Sequence, residues 1–203
     1  MITIRQLERL FNEQQYRRLY QELITGRPEV QAQLPELSRV VPLAALGMIR
    51  LDELTQSHAP LYRRFLGVVL TSQQADGGWG DPVVTAICLR ALMCGRGQGA
   101  ATTCGLAHLA NLQKSEGIWP KEPIRRMSAD AVTSAFILLE LGDRADFRQA
   151  VRFDDAIDWF ATNAQAMDPA AKILWAHASV RCRLTPANSR ISTLWAQSNR
   201  SAA

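Results

Sequence analysis

A few short stretches of this sequence carry residue types that could do chemistry. Asp154, Asp155 and Asp158, in the run Asp154-Asp155-Ala156-Ile157-Asp158, have the spacing that sets carboxylates on one helical face, where Mg²⁺ could be held. The same spelling at a helix start needs no metal, because acids there complement the helix dipole. No second acidic group stands out to face it, so a helix start is the expectation. Cys94, Cys104 and His108 offer three zinc-type donors without a fourth ligand or CxxC spacing. His177, between Trp175 and Val180, reads as a packed or surface side chain, and Asp130 in Ser128-Ala129-Asp130-Ala131 reads as a helix cap. No serine–histidine or cysteine–histidine nucleophile pattern is recognisable. The stretch Pro120 to Ser128 carries Lys121, Arg125 and Arg126, a basic group expected to contact a partner or an anionic head group; a solvated loop is the plainer alternative.

The elements that would position these residues form a repeat. Val69 to Trp79 aligns with Leu109 to Trp119 at an offset of 40, matching Gln73 with Gln113, Gly77 with Gly117 and Trp79 with Trp119. Asp81 to Leu89 then aligns with Asp130 to Leu138 at an offset of 49, so the nine extra residues fall in the 120–128 loop. Each unit reads as helix, tight Gly-Trp turn, helix. Asp81-Pro82 supplies a natural N-cap and first helical residue, and Ser128 or Asp130 could serve its counterpart. A degenerate third unit runs from Asp155 to Asn163 and reopens at Asp168-Pro169, without the Gln-Gly-Trp signature. Before the repeats, Ile4 to Ile24 has helical spacing, Pro28 and Pro35 break the chain, and Leu37 to Leu54 can form another helix. The expected organisation is one all-α helical-repeat domain over 1–203, with N-terminal helices in 1–60, two repeats in 61–142, the degenerate repeat in 150–184 and a tail in 185–203.

The signature resembles the QW repeats of the terpenoid-cyclase and protein-prenyltransferase α/α-toroid superfamily. Copy one supplies Arg64, Val69, Gln73, Gly77 and Trp79, but Phe65 and Val68 at the other two positions; copy two supplies Gly105, Leu109, Gln113, Gly117 and Trp119, but Cys104 and His108. The resemblance implies an α/α-toroid-like array, and its chemistry is architectural. A Gln near a helix end can satisfy orphan backbone groups while stacking on a Trp, Gly permits positive φ, and Trp covers the junction between hairpins. A complete toroid of the superfamily closes with about six hairpins. This chain offers about four, which implies a partial or open toroid. The catalytic motifs of the relatives are absent: there is no DxDD, the nearest approach being Ser128 to Ala131, and no Asp-x-Cys zinc element.

Composition narrows the function further. Hydrophobic residues make up 47% and charged residues 21% of 203 residues, an ordinary globular mix. The net charge is +4, but acids and apolar residues interrupt the arginines, so nucleic acid is not an expected partner. Nothing approaches the roughly 18 apolar residues of a membrane span, and Met1 to Arg18 lacks the apolar run of a secretory leader. A cytoplasmic location is expected, with Cys88, Cys94, Cys104 and Cys182 reduced and Cys88 and Cys182 acting as small core hydrophobes. The sequence therefore points to a non-catalytic toroid-like binding module for an apolar small molecule or a protein partner, without a cofactor. A homodimer would cover the open ends of the arc. The alternative is a divergent isoprenoid-processing enzyme, terpenoid-cyclase- or prenyltransferase-like.

Overall fold

A computed structural model describes residues 41–94, 99–124 and 126–182. The described residues form eight helices and no strand: α1 Val41–Glu53, α2 Pro60–Thr71, α3 Pro82–Cys94, α4 Gly99–Leu112, α5 Ala131–Leu141, α6 Ala145–Ala150, α7 Phe153–Asn163 and α8 Pro169–Arg181. The helix expected over Ile4 to Ile24, the expected 185–203 tail and Arg125 lie outside the described residues. None of the described helices is long and apolar enough to cross a membrane.

Local chemistry sets where the helices begin. Asp130 accepts from the Thr133 N–H at 2.7 Å, which settles the cap of α5 in favour of Asp130 over Ser128. Asp81 accepts from the Val84 N–H at 2.9 Å and Asp168 from the Ala171 N–H at 3.0 Å, with Pro82 and Pro169 opening α3 and α8. Asp154 and Asp155 occupy the first turn of α7, where the sequence placed a helix start; both are exposed, and Asp155 pairs with Arg152 at 3.6 Å.

Burial sorts the helices into two kinds. In α3, every residue from Pro82 to Leu89 is buried, and α5 is buried from Thr133 to Leu138, as suits helices with neighbours on all sides. α1, α3, α5 and α8 pack in that order, each against the next, as a central row. The flanking helices bury one stripe: Tyr62, Phe65 and Val69 in α2, and Phe153, Ala156 and Phe160 in α7. α2 lies against α1, and α4 lies against α3 and α6. In the third unit, Phe160 stacks on Trp175 of α8 with ring centroids 4.6 Å apart. Cys88 and Cys182 are buried as expected, and all four cysteines are free.

Candidate functional site

The repeated turns set the spacing of the units. Between α2 and α3, and again between α4 and α5, the chain reverses through the same bonds. The Gln74 and Lys114 N–H groups donate to Gly78 and Ile118 carbonyls, each at 2.9 Å. Gly77 and Gly117 have φ of +88° and +87°, a region that side chains disfavour. A Cβ on Gly77 would strike the Cys104 carbonyl of α4, and one on Gly117 would strike Asp155 of α7. Each turn thus lies directly on the flanking helix of the following unit.

The glutamines fasten that contact. Gln73 Nε2 donates to the Gly77 carbonyl in its own turn at 2.8 Å and to the Ala101 carbonyl of α4 at 2.9 Å. Gln113 Nε2 donates to Gly117 at 2.6 Å and to Arg152 at 2.9 Å, while its Oε1 accepts from the Arg152 N–H at 2.9 Å. Their polar atoms therefore serve two units at once, which the sequence reading of a local helix-end partner did not anticipate. Trp79 and Trp119 reach back ten residues, donating from the indole to the Val69 and Leu109 carbonyls at 2.7 and 2.8 Å. Their main-chain N–H groups are taken by Thr85 and Ser134 hydroxyls. Trp119 packs against Phe147 of α6, with centroids 6.0 Å apart. In the third unit, the Asn163 side chain bonds back into its own helix, to the Trp159 carbonyl, and the Phe160–Trp175 stack stands where the signature would be.

A charged cluster lies at the C-terminal ends of the row. Arg90 of α3 reaches both Asp143 oxygens at 3.2 and 3.3 Å, Arg181 of α8 reaches Asp143 at 3.4 Å, and Arg144 approaches it at 3.5 Å. These pairs bring the ends of α3, α5 and α8 side by side. Burial alone would raise the Asp143 carboxyl, but Arg90, Arg181 and Arg144 together hold it below the usual carboxylate range. Glu140, one turn earlier, is pushed the other way by burial; Arg181 and Arg90 oppose the shift, and Asp143 and Glu53 add to it. Glu140 has no hydrogen-bond or ion-pair partner among the described residues. Arg144 Nε is buried and makes no hydrogen bond among the described residues, its contact with the Asp143 carboxylate at 3.5 Å being an ion pair.

The sequence reading missed this cluster, because its members come from three distant stretches. A signal was present: Arg90 and Glu140 are the lone charges in α3 and α5, both otherwise almost wholly apolar.

The residues proposed from sequence sit elsewhere. Lys121 and Arg126 are exposed on the 120–128 loop, which is pinched at its base by a bridge between Pro120 and Ala129. That loop leads into the N-terminal cap of α5, at the opposite end of the helix from the arginine cluster. His108 is buried, with Nδ1 3.2 Å from the Asp76 carbonyl and 3.5 Å from its carboxylate, and its ring lies on Gly78. Cys104 is exposed and Cys94 half-buried; among the described residues, no three His, Cys, Asp or Glu side chains gather where they could hold a metal ion. His177 is exposed on α8.

No protein-family model, no curated protein and no solved structure matches this chain.

Proposed function

We propose that the chain is a non-catalytic binding module, a partial or open α/α-toroid-like arc of about four helical hairpins that holds an apolar small molecule. The observation that carries the reading is the exposed face of α8, the last of the described helices in the row. Ile173 is 61% exposed and Val180 is 79% exposed. Seven residues apart, they lie on one face with the exposed His177 between them, and two large aliphatics exposed on one face suit an interaction surface. The polar atoms of the repeated turns are spent on the fold: the glutamines, tryptophans and capping aspartates all bond to backbone.

Native mass spectrometry of the purified full chain, followed by solvent extraction, tests this. A co-purifying isoprenoid or lipid, lost in an Ile173→Glu, Val180→Glu variant, is the expected result. An empty chain that runs as a dimer would instead assign the face to a second copy. An empty monomer that recovers a defined protein through α8 would assign it to a protein partner.

One observation favours a second reading, a divergent isoprenoid-processing enzyme of the terpenoid-cyclase or prenyltransferase kind. Glu140 is a carboxyl that its surroundings push toward the protonated form, which is the property an acid catalyst needs. Turnover of a prenyl diphosphate or a linear polyene by the wild type, abolished in Glu140→Gln, would establish that reading; a stable, inactive wild type would remove it.

A further inference from the structure

The two Gln-Gly-Trp joints are built to one plan and held unequally. We propose that the first joint, where the turn from Gln73 to Gly80 meets α4, is a hinge that opens locally while the second stays shut. The hinge goes beyond the binding reading above and does not depend on it.

Within its own unit each turn is bonded alike, through the Gln74 or Lys114 N–H, the glutamine amide and the indole. The difference lies in what crosses to the next unit. At the second joint, Gln113 exchanges two bonds with the Arg152 main chain, both at 2.9 Å. The Arg152 guanidinium then returns across the joint to the carbonyls of Gln113, Lys114 and Ser115. At the first joint, the acceptor that corresponds to Arg152 is Ala101, which takes one bond from Gln73 and has no polar side chain to return. The other polar crossing there is His108 Nδ1, 3.2 Å from the Asp76 carbonyl and 3.5 Å from its exposed carboxylate. His108 Nε2 is buried with no hydrogen-bond partner among the described residues. Opening lets water reach that nitrogen, so the closed joint carries a cost that the open one sheds.

The backbone differs in the same direction. Gly78 and Gly80 flank Trp79, whereas Ile118 and Pro120 flank Trp119. Gly80 has a φ of +95° and open space where a side chain would start. It is free to swing. Pro120 has a ring-fixed φ and is bridged to Ala129, and Ile118 is buried. Opening the first joint draws the Trp79 ring from its seat against Gly105 of α4. The packing of α1, α3, α5 and α8 on one another survives that movement.

Native-state hydrogen exchange of the full chain, with each amide corrected for its intrinsic rate, tests this. The Gln74, Gly77 and Trp79 amides should exchange at least about tenfold faster than those of Lys114, Gly117 and Trp119, because the first joint lacks the charge-assisted crossing bonds. Mild urea should barely change the exchange at the first joint, since a local opening exposes little new surface. Arg152→Ala should speed exchange at Lys114, Gly117 and Trp119 about tenfold and leave the first joint as it was, with circular dichroism reporting the fold. Arg152→Lys keeps the charge without the planar fork and should fall between. Equal or slower exchange at the first joint of the wild type would overturn the hinge. A steep urea dependence there would make the opening a global unfolding and overturn it too. Unmoved exchange at the second joint in a folded Arg152→Ala chain would overturn the assignment of the difference to the crossing bonds.

Discussion

The two ends of the central row are held by different physics. At the N-terminal ends, Asp81, Asp130 and Asp168 each accept from a backbone N–H three residues on, at 2.9, 2.7 and 3.0 Å. The Gln-Gly-Trp turns before α3 and α5 add buried bonds to fixed backbone positions. At the C-terminal ends, Asp143 is held by Arg90 of α3, Arg181 of α8 and Arg144 at the start of α6, at 3.2–3.5 Å, in side chains that are partly exposed. The first arrangement is made of short bonds to backbone atoms, some within one turn and some, from Gln73 and Gln113, across to the next unit. The second is made of longer contacts between side chains that are partly exposed. Aspartate serves both: one type of side chain is a cap where a helix begins and a charge hub where it ends.

The sharpest way to break that contrast is to cut a turn. Trp119→Ala removes a fully buried indole packed on Phe147 and should cost about 3–5 kcal/mol in chemical denaturation. That is a large share of the roughly 5–15 kcal/mol available to a domain. A variant as stable as wild type would show that the turn end is not the structural end.

Gln113→Ala should come next, at about 1–3 kcal/mol, because it strands bonding groups of Arg152 and Gly117. Gln73→Ala should cost less, since Gln73 makes two such bonds and lacks the third, from a backbone N–H to Oε1. Equal losses in the two would mean that the third bond contributes nothing. Asp130→Ala follows, at about 1 kcal/mol, the usual value of a side-chain N-cap.

This division also explains what could be read from the sequence. The starts of α3, α5 and α8 were legible because capping depends on residues within one turn: Asp81-Pro82, Asp130 and Asp168-Pro169 announce themselves. The repeat register was legible because Gln, Gly and Trp recur at fixed spacing. α6 was not foreseen, since six residues are too few to display a helical period. The arginine cluster was missed for a different reason. Arg90, Asp143 and Arg181 are separated by tens of residues, and only the packing of α3, α5 and α8 in a row brings them together. The 120–128 loop drew notice because an insertion is visible in a repeat, yet its Lys121 and Arg126 stand exposed.

The smallest effects belong to the charged end, and their signs distinguish its two acids. Glu140 has a folded-state pKa raised above its ordinary value of 4.5. The folded state therefore holds that proton more tightly than the unfolded chain. Below 4.5 both states carry the proton and Glu140 costs nothing; as pH rises toward the folded value, wild type loses stability, and the loss then levels off. Glu140→Gln should match wild type in acid and exceed it at neutral pH. Asp143 runs the opposite way, because its folded-state pKa lies below its ordinary value of 3.8. Its contribution is complete above 3.8 and is lost as pH falls through the folded value, so Asp143→Asn should be weaker than wild type at neutral pH and converge with it in strong acid. The Asp143 difference shrinks with salt, because charges cause it and the side chain is partly exposed, whereas the Glu140 difference, caused first by burial, persists. Thermal melts of the two variants from acid to neutral pH, at low and high salt, check all four trends. If Glu140→Gln destabilised the protein at neutral pH, Glu140 would be a needed charge balancing Arg90 and Arg181, and burial would not be what sets its behaviour.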